Sequence, residues 1–323
     1  MEIKTEKYTK YYKGFIDSRI GGRAENQDAC GYEETKIGLL VVVCDGMGGV
    51  AGGKTASFMA VSEIFRGVKE SDAQDTPVMI LQKAIRRANL SIIQKASEDP
   101  SLRGMGTTVT VLLLNEQSAI LAHVGDSRIY HFRGKSKVFR TFDHSMVFDL
   151  VKQKVITEEQ ARLSAQSNVI NRALGIKAEV EVDITERAYE TGDRFLLCTD
   201  GVCGVFPEEK LIKLVTEKNF PLVLESLMTK VDAIGNAKGG NHDNLTAALI
   251  ETKCNSLMKD KMNAKTKKIL GIIIGVLLVS ITFNIVQMCT KEDTKVDTKT
   301  DEKVAIRNEV SVESSLIKLE EQK

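Results

Sequence analysis

At 323 residues the chain is long enough for one large domain or two ordinary ones, and a hydrophobic content of 42% lets it bury a substantial core. Its 45 basic residues nearly balance 44 acidic ones, and no basic cluster with interleaved aromatics is present, which argues against nucleic acid as a partner. The six cysteines form no CxxC pair and have no His at zinc-ligand spacing, so a reducing compartment fits better than a disulfide framework or a zinc ribbon.

Residues 1–14 contain no apolar run, so no cleaved secretory signal is expected. Ile37–Cys44 reads IGLLVVVC, a continuous Val-rich run that predicts a strand buried on both faces. Thr76-Pro77 has the form of an N-cap followed by proline at the first helical position. Val78, Leu81, Ile85, Ala88 and Ile92 then recur at spacings of three and four, predicting a long amphipathic helix. Strands are predicted over Thr107–Leu114 and Ser118–Val124, joined tightly at Asn115-Glu116-Gln117. A second pair, Arg128–Phe132 and Lys137–Phe142, flanks Arg133-Gly134-Lys135. Arg194–Cys198 and Leu245–Ile250 read as further strands, and helices are expected after Pro207 and Pro221. Hairpin-linked strands with long helices between sets of them predict antiparallel sheets covered by helices.

The remainder divides into three. Residues 253–268 form a basic, polar juxtamembrane linker after a domain expected over 1–252. Residues 269–288, ILGIIIGVLLVSITFNIVQM, carry no charge, and as a helix they would span about 30 Å, the thickness of a bilayer core. The run is apolar all round between abruptly polar flanks, which favours a single-pass transmembrane helix over a buried globular one. Lys259, Lys261, Lys265, Lys267 and Lys268 crowd its N-terminal flank, so the expected location is the cell membrane with the domain facing the cytoplasm. Residues 289–323 are polar and poor in core formers, as in a disordered tail.

Acidic residues recur where apolar strands end. Asp45 follows IGLLVVVC, Asp126 follows ILAHVG, Asp200 follows RFLLCT and Asp243 precedes LTAALI. Carboxylates placed at one sheet edge can aim several oxygens at one point, a donor set suited to Mg²⁺ or Mn²⁺. One such Asp is more often a turn residue or cap; four are harder to explain that way. In Asp45-Gly46-Met47-Gly48-Gly49 the glycines also let the backbone approach a ligand, at a spacing that fits neither a Walker nor a dinucleotide loop.

Together these segments resemble the metal-dependent type 2C protein serine/threonine phosphatases, bacterial branch. The matching pieces are Arg23-Ala24-Glu25-Asn26-Gln27-Asp28, Asp45-Gly46-Met47-Gly48-Gly49, Gly106-Thr107-Thr108, Gly125-Asp126-Ser127-Arg128, Asp143-His144-Ser145, Arg172-Ala173-Leu174-Gly175, Thr199-Asp200-Gly201 and Asp243-Asn244-Leu245-Thr246, in the family's order. The resemblance implies an α+β, four-layer α-β-β-α sandwich. It also implies Mn²⁺ or Mg²⁺, two per domain with a weaker third. Asp45 and the Gly46 carbonyl, with Asp200 and Asp243, would hold the pair, and Asp126 with Asp200 the third. Arg23 would grip the substrate phosphate, and Asp28 would support metal-bound water. Hydroxide bridging the two metals would then attack phosphorus without a phosphoenzyme. The implied partners are phosphorylated proteins and a receptor-like serine/threonine kinase whose signalling the enzyme reverses.

Three departures stand out: Gln27 where family members commonly have Glu, Met47 where eukaryotic members have His, and Leu163-Ser164-Ala165-Gln166 where bacterial relatives often carry His-Pro. The histidines, at 123, 131, 144 and 242, read as structural. The alternatives are a silent, membrane-anchored phosphopeptide-binding module, which need not keep every ligand, and a phosphodiesterase or nuclease, for which basic grooves are lacking.

Overall fold

The computed structural model describes residues 3–8 and 11–257. One antiparallel sheet runs β1 (Ile3–Tyr8), β2 (Tyr12–Arg19), β13 (Leu245–Thr252), β12 (Arg194–Cys198), β9 (Arg128–Arg133) and β10 (Ser136–Arg140). The second runs β11 (Asp183–Arg187), β8 (Ala119–Val124), β7 (Val109–Leu114), β4 (Gly38–Cys44) and β3 (Ala29–Thr35). Side-chain alternation explains the layering. Along β4, Val41 and Val43 join Leu112, Phe195, Leu197 and Ile250 between the sheets. Leu40, Val42 and Cys44 point the other way, onto α1 (Gly49–Lys69) and α2 (Pro77–Glu98). The first sheet likewise turns Leu196, Cys198 and Leu249 outward onto α6 (Glu208–Val215) and α7 (Phe220–Ala237). The result is the expected pair of antiparallel sheets flanked by helices, and the Ile37–Cys44 run is buried on both faces as its composition implies.

Local signals were obeyed where they were strong. Thr76 Oγ1 accepts the Met79 N–H and Pro77 opens α2. Elements not anticipated include strands β1 and β2, the mixed-polarity strands β3 and β11, the short helices of the 144–182 segment, and α1, whose first turns are glycine-rich. The strand expected over Thr107–Leu114 is broken at Thr108. Gly106–Thr107 (β6) turns away to pair with Gly46–Met47 (β5), and only Val109–Leu114 stays in the sheet. The second hairpin also stops short of Phe142, at Arg140, with its register shifting between Lys137 and Phe139.

The sheet register places one set of strand ends together. Arg19 lies opposite Leu245, Cys198 opposite both Ala247 and Arg128, and Val109 opposite Val124. The Asp-bearing connections therefore all emerge at the same edge. Between the sheets' far side and that edge, residues 144–182 form an excursion carrying α3 (Met146–Lys152) and α4 (Glu158–Arg162). It is tied back by Arg140, which donates to both Glu158 oxygens, and by a bridge between Leu174 and Thr107, while a bridge between Ser145 and Ile170 closes it on itself.

Among the described residues no helix is long and apolar enough to cross a membrane. Residues 269–288, read above as a transmembrane helix, lie outside the described residues. Past Thr252 the chain still packs: Lys253 N–H donates to Tyr11 O, Leu257 N–H to Glu116 O, and Ser256 is fully buried against Tyr189. Ser256 Oγ accepts the Tyr189 N–H and donates to its carbonyl, while its own N–H bonds that same carbonyl. Three such bonds contribute about 3 kcal/mol. A chain ending after Thr252 is therefore expected to melt about 5–10 °C below one ending after residue 268. Equal melting curves would show that residues 253–257 add nothing to the domain.

Candidate functional site

Each candidate side chain is held by the end of a packed strand. Asp45 follows β4, and its N–H donates to Thr108 Oγ1 (2.9 Å) while its carbonyl accepts from Thr108 N (2.9 Å) and Thr107 Oγ1 (2.8 Å). Thr108 Oγ1 also meets Ser127 Oγ at 2.7 Å, so the Asp45 and Asp126 turns are stitched together. Asp200 follows β12 and starts the short helix α5 (Asp200–Cys203). Asp243 lies two residues before β13, with Oδ1 accepting the Asn244 N–H at 2.9 Å. Asn244 then organises the Arg23 loop. Its amide donates to Ile20 O (2.8 Å) and Glu25 O (2.9 Å), and its Oδ1 accepts the Gln27 N–H (2.9 Å).

Arg23, Asp45, Gly46, Asp126, Asp200 and Asp243 all line one cleft of about 370 Å³. An adjoining hollow of about 320 Å³ shares Arg23, Asp126, Asp200 and Asp243 and continues beneath the 144–182 excursion past Arg162. Asp28 does not line the cleft. It is buried beneath it, where Oδ2 accepts Thr199 Oγ1 at 3.0 Å. Gly46 packs backbone to backbone, since a Cβ there would come within 2.1 Å of Gly53 O. Gln27, the unusual residue, spends its amide on Gly49 O at 2.9 Å, bracing the glycine-rich loop.

The cluster is electrostatically frustrated. Burial, then the neighbouring Asp28, Asp200, Asp126 and Asp243, pushes the Asp45 carboxyl well above the usual range. Asp126 is driven up the same way, by burial first and then by Asp200 and Asp143. Asp200 is raised by burial and Asp243, and Asp28 reaches about 7, chiefly through burial. Asp200 Oδ1 is buried without a hydrogen-bond partner. Arg128 lowers Asp126 only as a lesser influence, because its fork is spent on Asp143 (2.7 Å at both oxygens) while its guanidinium lies 4.9 Å from the Phe148 ring centroid. Among the described residues lining the cleft, Arg23 is the one cation, and its Nη2 donates to Asp243 Oδ2 at 3.1 Å. Buried, converging and uncompensated oxygens are a donor set for hard divalent cations. A peptide carbonyl at Gly46 adds to it.

Sequence reading placed these ligand candidates but not their supports. Thr108, Asn244 and the Arg128–Asp143 pair sat in recognised segments without a role. Asn168 and Ile170, which complete the cleft from the excursion, carried no signal at all.

The raised carboxyl values make a prediction with a definite sign. Asp28 binds its proton more tightly folded (about 7) than at the ordinary value of 3.8. In EDTA, stability should therefore be full at low pH within this window and fall as pH rises from about 4 to 7. Asp200→Asn removes one repelling charge, so in EDTA at pH 8 it is expected to raise the melting temperature by about 5 °C. A lower melting temperature would mean that Asp200 is stabilised by its surroundings rather than repelled.

Comparison with known proteins bears on the same residues. The description protein phosphatase 2C matches residues 17–249. The serine/threonine phosphatase stp of Listeria innocua is 35% identical over 236 residues, covering 71% of this chain and 91% of that one. Among solved structures, serine/threonine phosphatase Stp1 from Staphylococcus aureus superposes with a TM-score of 0.66 at 27% identity, covering 74% of this chain and 94% of that one. The catalytic domain of the serine/threonine protein phosphatase PstP, in complex with two manganese ions, gives 0.62 at 29% identity, covering 75% and 99%. With the motif order, the paired sheets and the acidic cleft in agreement, the chain belongs to the protein phosphatase 2C family of serine/threonine phosphatases.

Proposed function

We propose that this enzyme removes phosphate from phosphoserine and phosphothreonine in proteins using divalent cations held in the acidic cleft. The observation that carries the reading is the cluster of carboxylates converging on one cleft, with Asp200 Oδ1 buried and unpartnered, facing a single exposed arginine. Asp45, the Gly46 carbonyl, Asp200 and Asp243 would hold two cations, and Asp126 with Asp200 a weaker third. Mn²⁺ or Mg²⁺ bound there supplies a deprotonated water near neutral pH and neutralises charge on the phosphoryl oxygens.

The chain's own groups supply the rest. Arg23 and Asp243 leave about half and two-fifths of their side chains exposed (49% and 39%), so their ion pair is worth less than about 1 kcal/mol and yields readily to a phosphate dianion. The planar guanidinium can then take two phosphoryl oxygens at once. Asp28 fixes Thr199 from below and with it the start of the Asp200 turn. No Ser, Cys or His lines the main cleft among the described residues, and the one hydroxyl there, Thr108, is engaged by Asp45 and Ser127. Attack by water without a phosphoenzyme fits that inventory.

We further propose that residues 269–288 anchor the enzyme in the cell membrane with the catalytic domain in the cytoplasm, where it opposes a receptor-like serine/threonine kinase. The uncharged run and the lysine-rich flank support this reading. Retention of the full chain, but not of one ending at residue 268, in carbonate-washed membranes is the expected result; release of both would remove the anchor.

Hydrolysis of an aryl phosphate and of a phosphothreonine peptide should vanish in EDTA and return with Mn²⁺. Asp200→Asn is expected to lower kcat/KM on the order of 10³-fold even at saturating Mn²⁺, and near-normal rates would remove Asp200 from the centre. Arg23→Ala should raise KM about tenfold with a smaller change in kcat. A fall in kcat alone would reassign Arg23 to the transition state.

A further inference from the structure

His144 sits where the excursion leaves the core, and it grips Gly125 twice. Its N–H donates to Gly125 O at 2.9 Å, and its Nδ1 accepts the Gly125 N–H at 3.1 Å. A ring nitrogen that accepts carries no proton, so in the neutral ring the proton is on Nε2, which lies 3.2 Å from Asp183 Oδ2, close enough for the carboxylate to attract it but without the alignment of a hydrogen bond. Burial, then the neighbouring His123, holds His144 down to about 4, so the ring is neutral near pH 7. Arg172 Nη1 donates to the other Asp183 oxygen at 3.1 Å. The ring stacks on His123, with centroids 4.5 Å apart and planes 19° from parallel, and His123 Nε2 in turn donates to Phe142 O at 2.9 Å.

His123, His144 and Asp183 offer ligand atoms within 4.8 Å of one another, yet they make a poor metal site. With Nδ1 already unprotonated, ligation through His144 Nε2 would need an imidazolate. Near-parallel stacked rings also direct their in-plane lone pairs side by side rather than toward one point.

What the arrangement does fix is the peptide before Asp126. Gly125 has φ +106°, and a Cβ there would fall 2.7 Å from Thr108 Cγ2, so the turn is confined on its other side. We propose that His144 is a positioning residue that clamps the Gly125–Asp126 peptide and so aims the Asp126 carboxylate into the cleft, with Asp183 orienting the ring. The proposal rests on the reading of Asp126 as a ligand of the weaker third cation.

The test is equilibrium dialysis of Mn²⁺ against the purified full-length chain, comparing wild type with Asp126→Ala, His144→Ala, His144→Asn and Asp183→Asn, each checked for native circular dichroism. Asp126→Ala should weaken or abolish the weakest Mn²⁺ step only. His144→Ala should weaken that same step about tenfold and leave the tighter ions untouched. His144→Asn, whose Oδ1 can still accept the Gly125 N–H, should recover to within roughly threefold of wild type, and Asp183→Asn should fall between the two. If Asp126→Ala changes the isotherm while His144→Ala does not, or if His144→Asn is no better than His144→Ala, the positioning role is wrong. If Asp126→Ala leaves the isotherm unchanged, the ligand reading of Asp126 falls first and the His144 proposal with it. Should His144→Ala not fold, the Asp183→Asn isotherm decides: a weakened weakest step supports the proposal, and a wild-type curve overturns it.

Discussion

Like charges held together inside a protein repel, and the whole architecture of this domain answers that one constraint. Asp126 is buried, and Asp45 and Asp200 are half-buried beside it, with little local compensation. Each directly follows or nearly follows a strand whose alternate side chains are locked into two separate cores. The favourable burial of those strands, at about 25 cal/mol per Å² of apolar surface, is what keeps the carboxylates from moving apart. The same rigidity preorganises the oxygens, so a divalent cation meets them without rearrangement. Instability without metal and readiness for metal are then two faces of one property.

Neutral hydrogen bonds carry out the fine placement. Thr108 joins the Asp45 turn to the Asp126 turn through its backbone and its hydroxyl, and Asn244 holds the Arg23 loop against Asp243. A charged fastener in these positions would either cancel the cluster or add to its repulsion. Arg128 shows how a cation is admitted nearby with little of that effect: its fork is taken by both oxygens of Asp143, its remaining nitrogen donates to the Tyr130 hydroxyl, and its face lies against Phe148. Arg23, by contrast, is left solvent-accessible with only a weak ion pair, which suits a group that must exchange partners.

While Leu174 and Val180, late in the 144–182 excursion, pack into the α1–α2 core, its α3–α4 part is attached by polar contacts rather than by a large apolar interface. Its own core is small, built on Val147, Phe148 and Ala161, and Arg140 and His144 supply the ties. Segments fixed in this way lie at the low-stability end of a fold and can adjust to a bound protein. The departure from the family at Leu163-Ser164-Ala165-Gln166 falls in this segment, and Leu163 is 68% exposed.

Much of this was legible in the linear chain. The Val-rich run of β4, the capped start of α2 and the Asp residues at strand ends are local signals whose physics needs only neighbouring residues; they indicated helix-covered antiparallel sheets and four candidate carboxylates, while Arg23 and the Gly46 carbonyl came from the order of motifs. The sequence could not reveal that the Thr107–Leu114 run breaks at Thr108, because the break exists to bond Asp45, 63 residues away. Nor could it pair Arg128 with Asp143 or His144 with Gly125. Periodicity and composition report how a segment buries its own surface. Which polar group satisfies which across the edge of two sheets depends on register and on the close approach of distant turns, and only the tertiary structure decides that.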